Sequence, residues 1–288
     1  MEPPFSRGHH SPCRPGVRPN LANLDNAAVE SDRYAAIAAL YDLAYWDYTE
    51  DVDFYGNLAR INSGPVLELG VGTGRVAVRL AQAGFSVTGI DESASMLARA
   101  RDNAKVAGLP PKRLALVAAG MTEFELDRTY GTAVVAANTF QHLMSTRDQR
   151  ACLSAIVRHL DPGGILAISI HSPAAIPWDE SAEPMLRFDW VRTDPATGET
   201  IVRTVASEPD ASRMVRRLTY LYDRVGTDGT LRRTIFETEL RYSSQSEIEL
   251  LLQEAGLHVT HVYGDYDLSP VGPDTEQLIF VARAGSPS

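Results

Sequence analysis

Val66-Leu67-Glu68-Leu69-Gly70-Val71-Gly72-Thr73-Gly74-Arg75 is the stretch that decides the fold. A short apolar run broken by one acid ends in three alternating glycines, and a helical pattern opens directly after them. This reads as a buried strand, a tight turn and a helix start. Glycines are needed there because any Cβ would block close approach of a ligand and restrict the backbone angles. The free amides of a helix N-terminus favour a negatively charged ligand group.

Outward from this turn, a strand–helix alternation emerges. Strands are expected at 65–69, 86–90, 113–118, 132–137 and 165–171, with helices near 74–84, 93–107 and 147–160. A capping box, Thr146 to Gln149, opens the last helix, and Asp161-Pro162-Gly163-Gly164 stops it. Short turns between alternating elements predict an α/β fold, a doubly wound and mainly parallel seven-stranded sheet of Rossmann-like type. Residues 174–243 differ: Phe236, Thr238, Leu240 and Tyr242 alternate with polar neighbours, Leu218, Tyr220 and Tyr222 keep the same period, and turn signals recur. They predict an antiparallel insertion of four strands. Ser244 and Glu247 then cap a helix closed by Gly256, and strands near 257–264 and 276–283 finish the sheet.

The expected organisation is a disordered Pro-rich tail at 1–30, lid helices at 31–62, and a cofactor-binding core at 63–173. The insertion at 174–243 follows, then the last helix and two strands at 244–283, and a tail at 284–288. Tyr34, Ile37, Tyr41, Tyr45 and Tyr48 recur at steps of three and four and mark one face of the first lid helix. The second runs from Asp51 to Ile61, its acids complementing the dipole.

Composition bounds the function. The chain has 288 residues, 44% of them hydrophobic, enough for a sizeable core. Lys+Arg minus Asp+Glu is 27 − 37 = −10, which argues against nucleic-acid binding, since that needs cations in place of phosphate counterions. It suits a soluble enzyme handling a small, neutral or cationic substrate. Cys13 and Cys152 make neither a disulfide framework nor a thiolate metal site. His9 and His10 beside Cys13 read as solvated, and His258 and His261, three apart on a strand, point to opposite faces. No metal site, membrane span or signal peptide is expected, and the chain reads as cytoplasmic.

Asp91 lies at the carboxyl end of the second strand, where such folds present a ribose to a carboxylate. Glu68 adds a second acid, a pair better suited to a ligand carrying a cation than to a pyrophosphate. The dinucleotide fingerprint G-x-G-x-x-G is not met, because Arg75 stands in its last place.

At these residues the sequence resembles the class I S-adenosylmethionine-dependent methyltransferases. The carriers are the acid two positions before a G-x-G-x-G loop (Glu68 to Gly74), the acid Asp91, the Ser93-to-Leu97 helix start, and Asp161-Pro162-Gly163-Gly164 before the fifth strand. The resemblance spans 34–173 and, more loosely, 244–283. It implies S-adenosyl-L-methionine as cofactor. Gly70, Gly72 and Gly74 would approach its methionine part, Asp91 its ribose and Met121 its adenine, while Ala137 and Asn138 would border the sulfonium. Gly120 is a departure, because many relatives carry an acid there for the adenine amino group.

The Tyr41-to-Tyr45 segment resembles the lid helix of small-molecule N-methyltransferases of antibiotic pathways, which implies that Tyr45 touches the cofactor. His142 and His171 follow the fourth and end the fifth strand, at the sheet edge where open α/β folds bind ligands, and either suits proton removal. His159, in a helix's last turn, reads as a cation meeting the dipole. Arg213, Arg216, Arg217, Arg232 and Arg233 read as a solvated sheet face balanced by Glu237 and Glu239, the other reading being an anionic substrate. Trp178 and Trp190 either line a pocket roof or pack it down. The leading reading is methyl transfer to nitrogen, with oxygen second, of a small molecule. The alternatives are a methyltransferase-like binding protein and a nicotinamide-dependent oxidoreductase.

Overall fold

The computed structural model describes residues 32–178 and 186–285. The tail expected at 1–30, with His9, His10 and Cys13, lies outside the described residues, as do the last three positions.

Two short helices come first, α1 (Ala38–Tyr45) and α2 (Glu50–Asn62). The core then alternates β1 (Val66–Leu69), α3 (Arg75–Gln82), β2 (Val87–Asp91), α4 (Ala94–Val106), β3 (Leu114–Ala118), β4 (Tyr130–Val135), α5 (Thr146–His159) and β5 (Leu160–His171). Four antiparallel strands follow: β6 (Arg187–Thr193), β7 (Thr200–Asp210), β8 (Val215–Val225) and β9 (Leu231–Arg241). The chain closes with α6 (Gln245–Glu254), β10 (Leu257–Tyr263) and β11 (Gln277–Ala284). The main sheet runs β10-β11-β5-β4-β1-β2-β3. Its β1, β2, β3, β4 and β5 are parallel, whereas β11 and β10 are antiparallel.

Both faces of this sheet are covered, which is why its strands are nearly all apolar. Leu67, Leu69, Val135, Leu166 and Ile168 pack with α5 and α6 on one side. Val66, Val134, Ile165 and Ala167 pack with α2 and α3 on the other. Glu68 shares the parity of Val66 and so lies on the α2/α3 side.

Local chemistry shifts several boundaries. Ser145, one residue earlier than expected, caps α5 by accepting from the Asp148 amide. The helix predicted across Tyr34–Tyr48 is regular only over Ala38–Tyr45. β4 stops at Val135, because Ala137 and Asn138 both adopt left-handed backbone, at φ 51° and 63°. A bulge at Thr260 puts His258 and His261 on the same face of β10, not on opposite faces.

The second sheet is ordered β6-β7-β8-β9. Its register pairs Arg203 with Tyr222, Val205 with Tyr220, Leu218 with Thr238, and Tyr220 with Phe236. Alternate residues therefore form one inward face.

Candidate active site

The glycine turn is built for close approach. A Cβ on Gly70 (φ 63°) would run into the Thr139 methyl. One on Gly72 (φ 53°) would meet nothing within 4 Å, so open space lies above that amide. Gly74, also left-handed, is the N-cap of α3. Asp91 closes the turn: its Oδ2 accepts from the Gly72 amide at 2.8 Å and its Oδ1 from the Ser93 amide at 2.8 Å. Each oxygen keeps a second lone pair for a diol. Burial raises the Asp91 pKa and the two amide bonds counter it.

Glu68 is 3% exposed, and burial pushes its carboxyl up to about 8, with Arg75 opposing. Its Oε2 and the Thr73 hydroxyl are buried at the turn without hydrogen-bond partners. A buried carboxyl oxygen and a buried hydroxyl, without hydrogen-bond partners among the described residues, lie beside the open space at Gly72 and a fixed carboxylate, a set that fits a nucleoside with a charged amino-acid tail. The residues present thus match S-adenosylmethionine. Met121 lies beyond Ala119, whose amide bonds the Asp91 carbonyl, and packs against the Phe124–Phe140 core.

Arg75, which breaks the dinucleotide pattern, faces away from the turn. Its guanidinium forks onto Asp51 at 2.7 and 2.6 Å and donates to the Tyr48 carbonyl at 2.8 Å. Asp51, 0% exposed, is therefore an ion-pair partner that anchors α2 to α3, a stronger role than the helix-dipole one expected of it.

A cavity of about 480 Å³ opens between the carboxyl edge of the main sheet and the second sheet. Tyr45, Ala137, Asn138, His142 and His171 all line it. The glycines, Glu68, Asp91 and Met121 form a separate group at the turn. The left-handed pair Ala137-Asn138 turns the Asn138 amide onto the His171 ring, Nδ2 to Nε2 at 2.8 Å. Gln277 approaches the other ring nitrogen at 3.3 Å. A neutral imidazole carries one N–H, so only one of the two amides donates and the other presents its oxygen. Burial, aided by the Arg216 charge, lowers the His171 pKa to about 4.

His142 ends a short 3₁₀ helix, Thr139–His142, and has no hydrogen-bond partner among the described residues. Burial and then the Arg33 charge lower its pKa to about 4. His159 is structural: its Nε2 accepts from the Leu126 amide and its Nδ1 donates to the Ala155 carbonyl. An acceptor nitrogen excludes the cationic form expected for it.

The opposite wall brings residues that sequence reasoning passed over. Arg203, 5% exposed, donates to Asp189 at 2.6 Å and to the Tyr45 hydroxyl at 2.9 Å, among the rings of Trp190, Tyr220 and Tyr222. Tyr45 is thus tied to the second sheet. Of the five clustered arginines, Arg213, Arg217, Arg232 and Arg233 reach Asp210, Glu239, Glu199 and Asp223, as a balanced outer face should. Arg216 is the exception and lines the cavity. Its parity with Leu218, Tyr220 and Tyr222 was the available signal. Trp178 donates to the Pro173 carbonyl and packs on Tyr242, while Trp190 packs on Tyr222, so both support the wall.

Residues 66–164 match the family model described as a methyltransferase domain. The chain is 28% identical over 228 residues to the cypemycin N-terminal methyltransferase of a Streptomyces species, covering 75% of this chain and 81% of that one. It is 26% identical over 240 residues to the dTDP-3-amino-3,4,6-trideoxy-alpha-D-glucopyranose N,N-dimethyltransferase of Streptomyces venezuelae, covering 79% and 92%. The solved CcbJ methyltransferase of Streptomyces caelestis superposes with a TM-score of 0.72 at 25% identity, covering 90% of this chain and all of that one. Fold, turn and relatives together define a class I S-adenosylmethionine-dependent methyltransferase. The CalS10 amino pentose methyltransferase of Micromonospora echinaspora, similar in fold with a TM-score of 0.63 at 22% identity, was solved with S-adenosylmethionine bound. No helix among the described residues is long and apolar enough to cross a membrane.

Proposed function

We propose that the protein methylates a nitrogen of a small-molecule acceptor of natural-product type, held in the cavity between the two sheets, in the cytoplasm and without nucleic-acid partners. The observation that carries this reading is the His142 ring, which lines the cavity with no side-chain hydrogen-bond partner among the described residues. The relatives' names point the same way, to the N-terminus of cypemycin and a dTDP-linked 3-amino sugar.

S-adenosylmethionine, when bound, supplies an activated methyl group for in-line displacement by a lone pair. The turn at Gly70, Gly72 and Gly74, with Glu68 and Asp91, would hold it, Met121 would flank its base, and Ala137 and Asn138 would face its reactive end. An amine must be neutral to attack, and the His142 ring, kept neutral by burial that lowers its pKa to about 4, adds no competing charge and offers a nitrogen that accepts a hydrogen bond from the amine N–H and orients its lone pair. His171 is braced by Asn138 and Gln277 and orients Asn138. Tyr45, held by Arg203, closes the cavity beside the reacting groups. Positioning and exclusion of water supply the larger share of the acceleration, on the order of 7–11 kcal/mol for well-oriented partners.

The test is to incubate the protein with S-adenosylmethionine and a panel of amino sugars, peptides with free N-termini and phenols, and to weigh the products. N-methylated product with an equal amount of S-adenosylhomocysteine supports the reading. Methylation confined to phenols contradicts it.

A further inference from the structure

Three arginines line the cavity, and they are not equivalent. Arg75 is matched by Asp51 and Arg203 by Asp189, each at 2.6 Å. Arg216 is matched by no carboxylate among the described residues. Its Nε donates to the Ser207 hydroxyl, across the β7–β8 ladder, and its charge lies near Tyr242 and His171. None of these neighbours is negative at neutral pH: Ser207 and Tyr242 are neutral hydroxyls, and His171 is an imidazole kept neutral by burial, with the Arg216 charge adding to it. The rest of the wall around it is Leu218, Leu240, Tyr220 and Val205. A guanidinium partly removed from water on such a wall bears a desolvation cost that no protein anion offsets. Fork-shaped donors are suited to a carboxylate or a phosphate.

We propose that Arg216 is the anion-recognition residue of the acceptor site, so that the molecule methylated here carries a carboxylate or phosphate group besides its amine. The inference rests on the cavity's being the acceptor site. The placement separates the anion from the cofactor's own carboxylate. Arg216 belongs to the second sheet, paired in register with Pro209 and Leu240, whereas the glycine turn sits at the end of β1. The same placement divides the work between the two sheets: His142 and Asn138 serve the amine from the main sheet, and Arg216 holds the anion from the second sheet.

Calorimetry on the full chain tests this with matched pairs: glucosamine against glucosamine 6-phosphate, and tyramine against tyrosine. Each is titrated with and without S-adenosylhomocysteine. The anionic member of at least one pair should bind about tenfold more tightly or better, and the pair with the larger ratio identifies phosphate or carboxylate. In Arg216→Gln the preference should vanish while affinity for S-adenosylhomocysteine stays within about twofold, and Arg216→Lys should restore part of it by keeping the charge. Equal binding within both pairs, or a preference that survives in Arg216→Gln, overturns the proposal. So does loss of S-adenosylhomocysteine affinity in that variant, which assigns the guanidinium to the cofactor instead. An anion preference without methylation of any amine refutes the proposed reaction and leaves the subsite standing.

Discussion

The glycine turn of the main sheet and the second-sheet wall of the cavity are built on different principles. On the main-sheet side, recognition is made largely by backbone: the Gly72 and Ser93 amides fix Asp91, and open space lies above Gly72. On the side of the second sheet it is made by side chains on alternate residues of β7, β8 and β9, with Arg203 and Arg216 set among Tyr220, Tyr222 and Phe236. A backbone site needs particular residues at fixed spacing and changes little when the substrate changes. A side-chain wall keeps only its period and can be rewritten residue by residue. On the proposed reading, the turn therefore defines the class of the enzyme, and the second-sheet wall its acceptor.

Substitutions break this comparison in order of size. Asp91→Ala should have the largest effect, removing two charge-assisted hydrogen bonds to a diol, worth about 3–6 kcal/mol together, or a hundredfold or more in S-adenosylhomocysteine affinity. Titration calorimetry reads it, and Arg203→Met, on the other wall, should leave that affinity nearly unchanged. Asp51→Ala should cost about 3–5 kcal/mol of stability by stranding the Arg75 guanidinium. At roughly 2–4 °C per kcal/mol, the melting temperature should fall by about 6–20 °C. His142→Gln should lower kcat about a hundredfold at pH 7 with the cofactor affinity intact, which steady-state kinetics would show. Ala137→Gly should stabilise the fold by up to about 1 kcal/mol, because glycine adopts the left-handed backbone without strain, and chemical denaturation measures this.

Acid sharpens the contrast further. His142 titrates near 4 when folded and near 6.5 when unfolded, so between these values the unfolded chain binds more protons. Its contribution to stability is complete above pH 6.5 and is lost as pH falls to 4. Glu68, raised to about 8, opposes this slope over part of the window, so the informative quantity is the difference between wild type and His142→Gln. The melting temperature of the variant should fall less steeply from pH 6.5 to 4. A parallel fall would show that the ring is solvated.

Much of this was legible from local chemistry. The G-x-G-x-G turn, Asp91 and the strand–helix alternation are consequences of backbone needs that only certain residues meet, and they stand where expected. The period of Leu218, Tyr220 and Tyr222 exposed the second sheet. Pairings across long separations were not legible: Asp51 with Arg75, Tyr45 with Arg203, and Asp32 with Ser93 are meetings of distant segments. The bulge at Thr260 depends on the ladder with β11, and the left-handed backbone at Ala137 breaks the usual preference of an alanine. Arg216 shows how a correct statement about a cluster can miss its one inward member.

The central claim is that the turn after β1, with Asp91, holds an adenosyl amino acid and not a dinucleotide. Thermal melting with S-adenosylhomocysteine, with NADH and with neither tests it most directly. The account predicts stabilisation by S-adenosylhomocysteine of about 2.7 kcal/mol at a hundred times its Kd, and none by NADH. Stabilisation by NADH alone would contradict it.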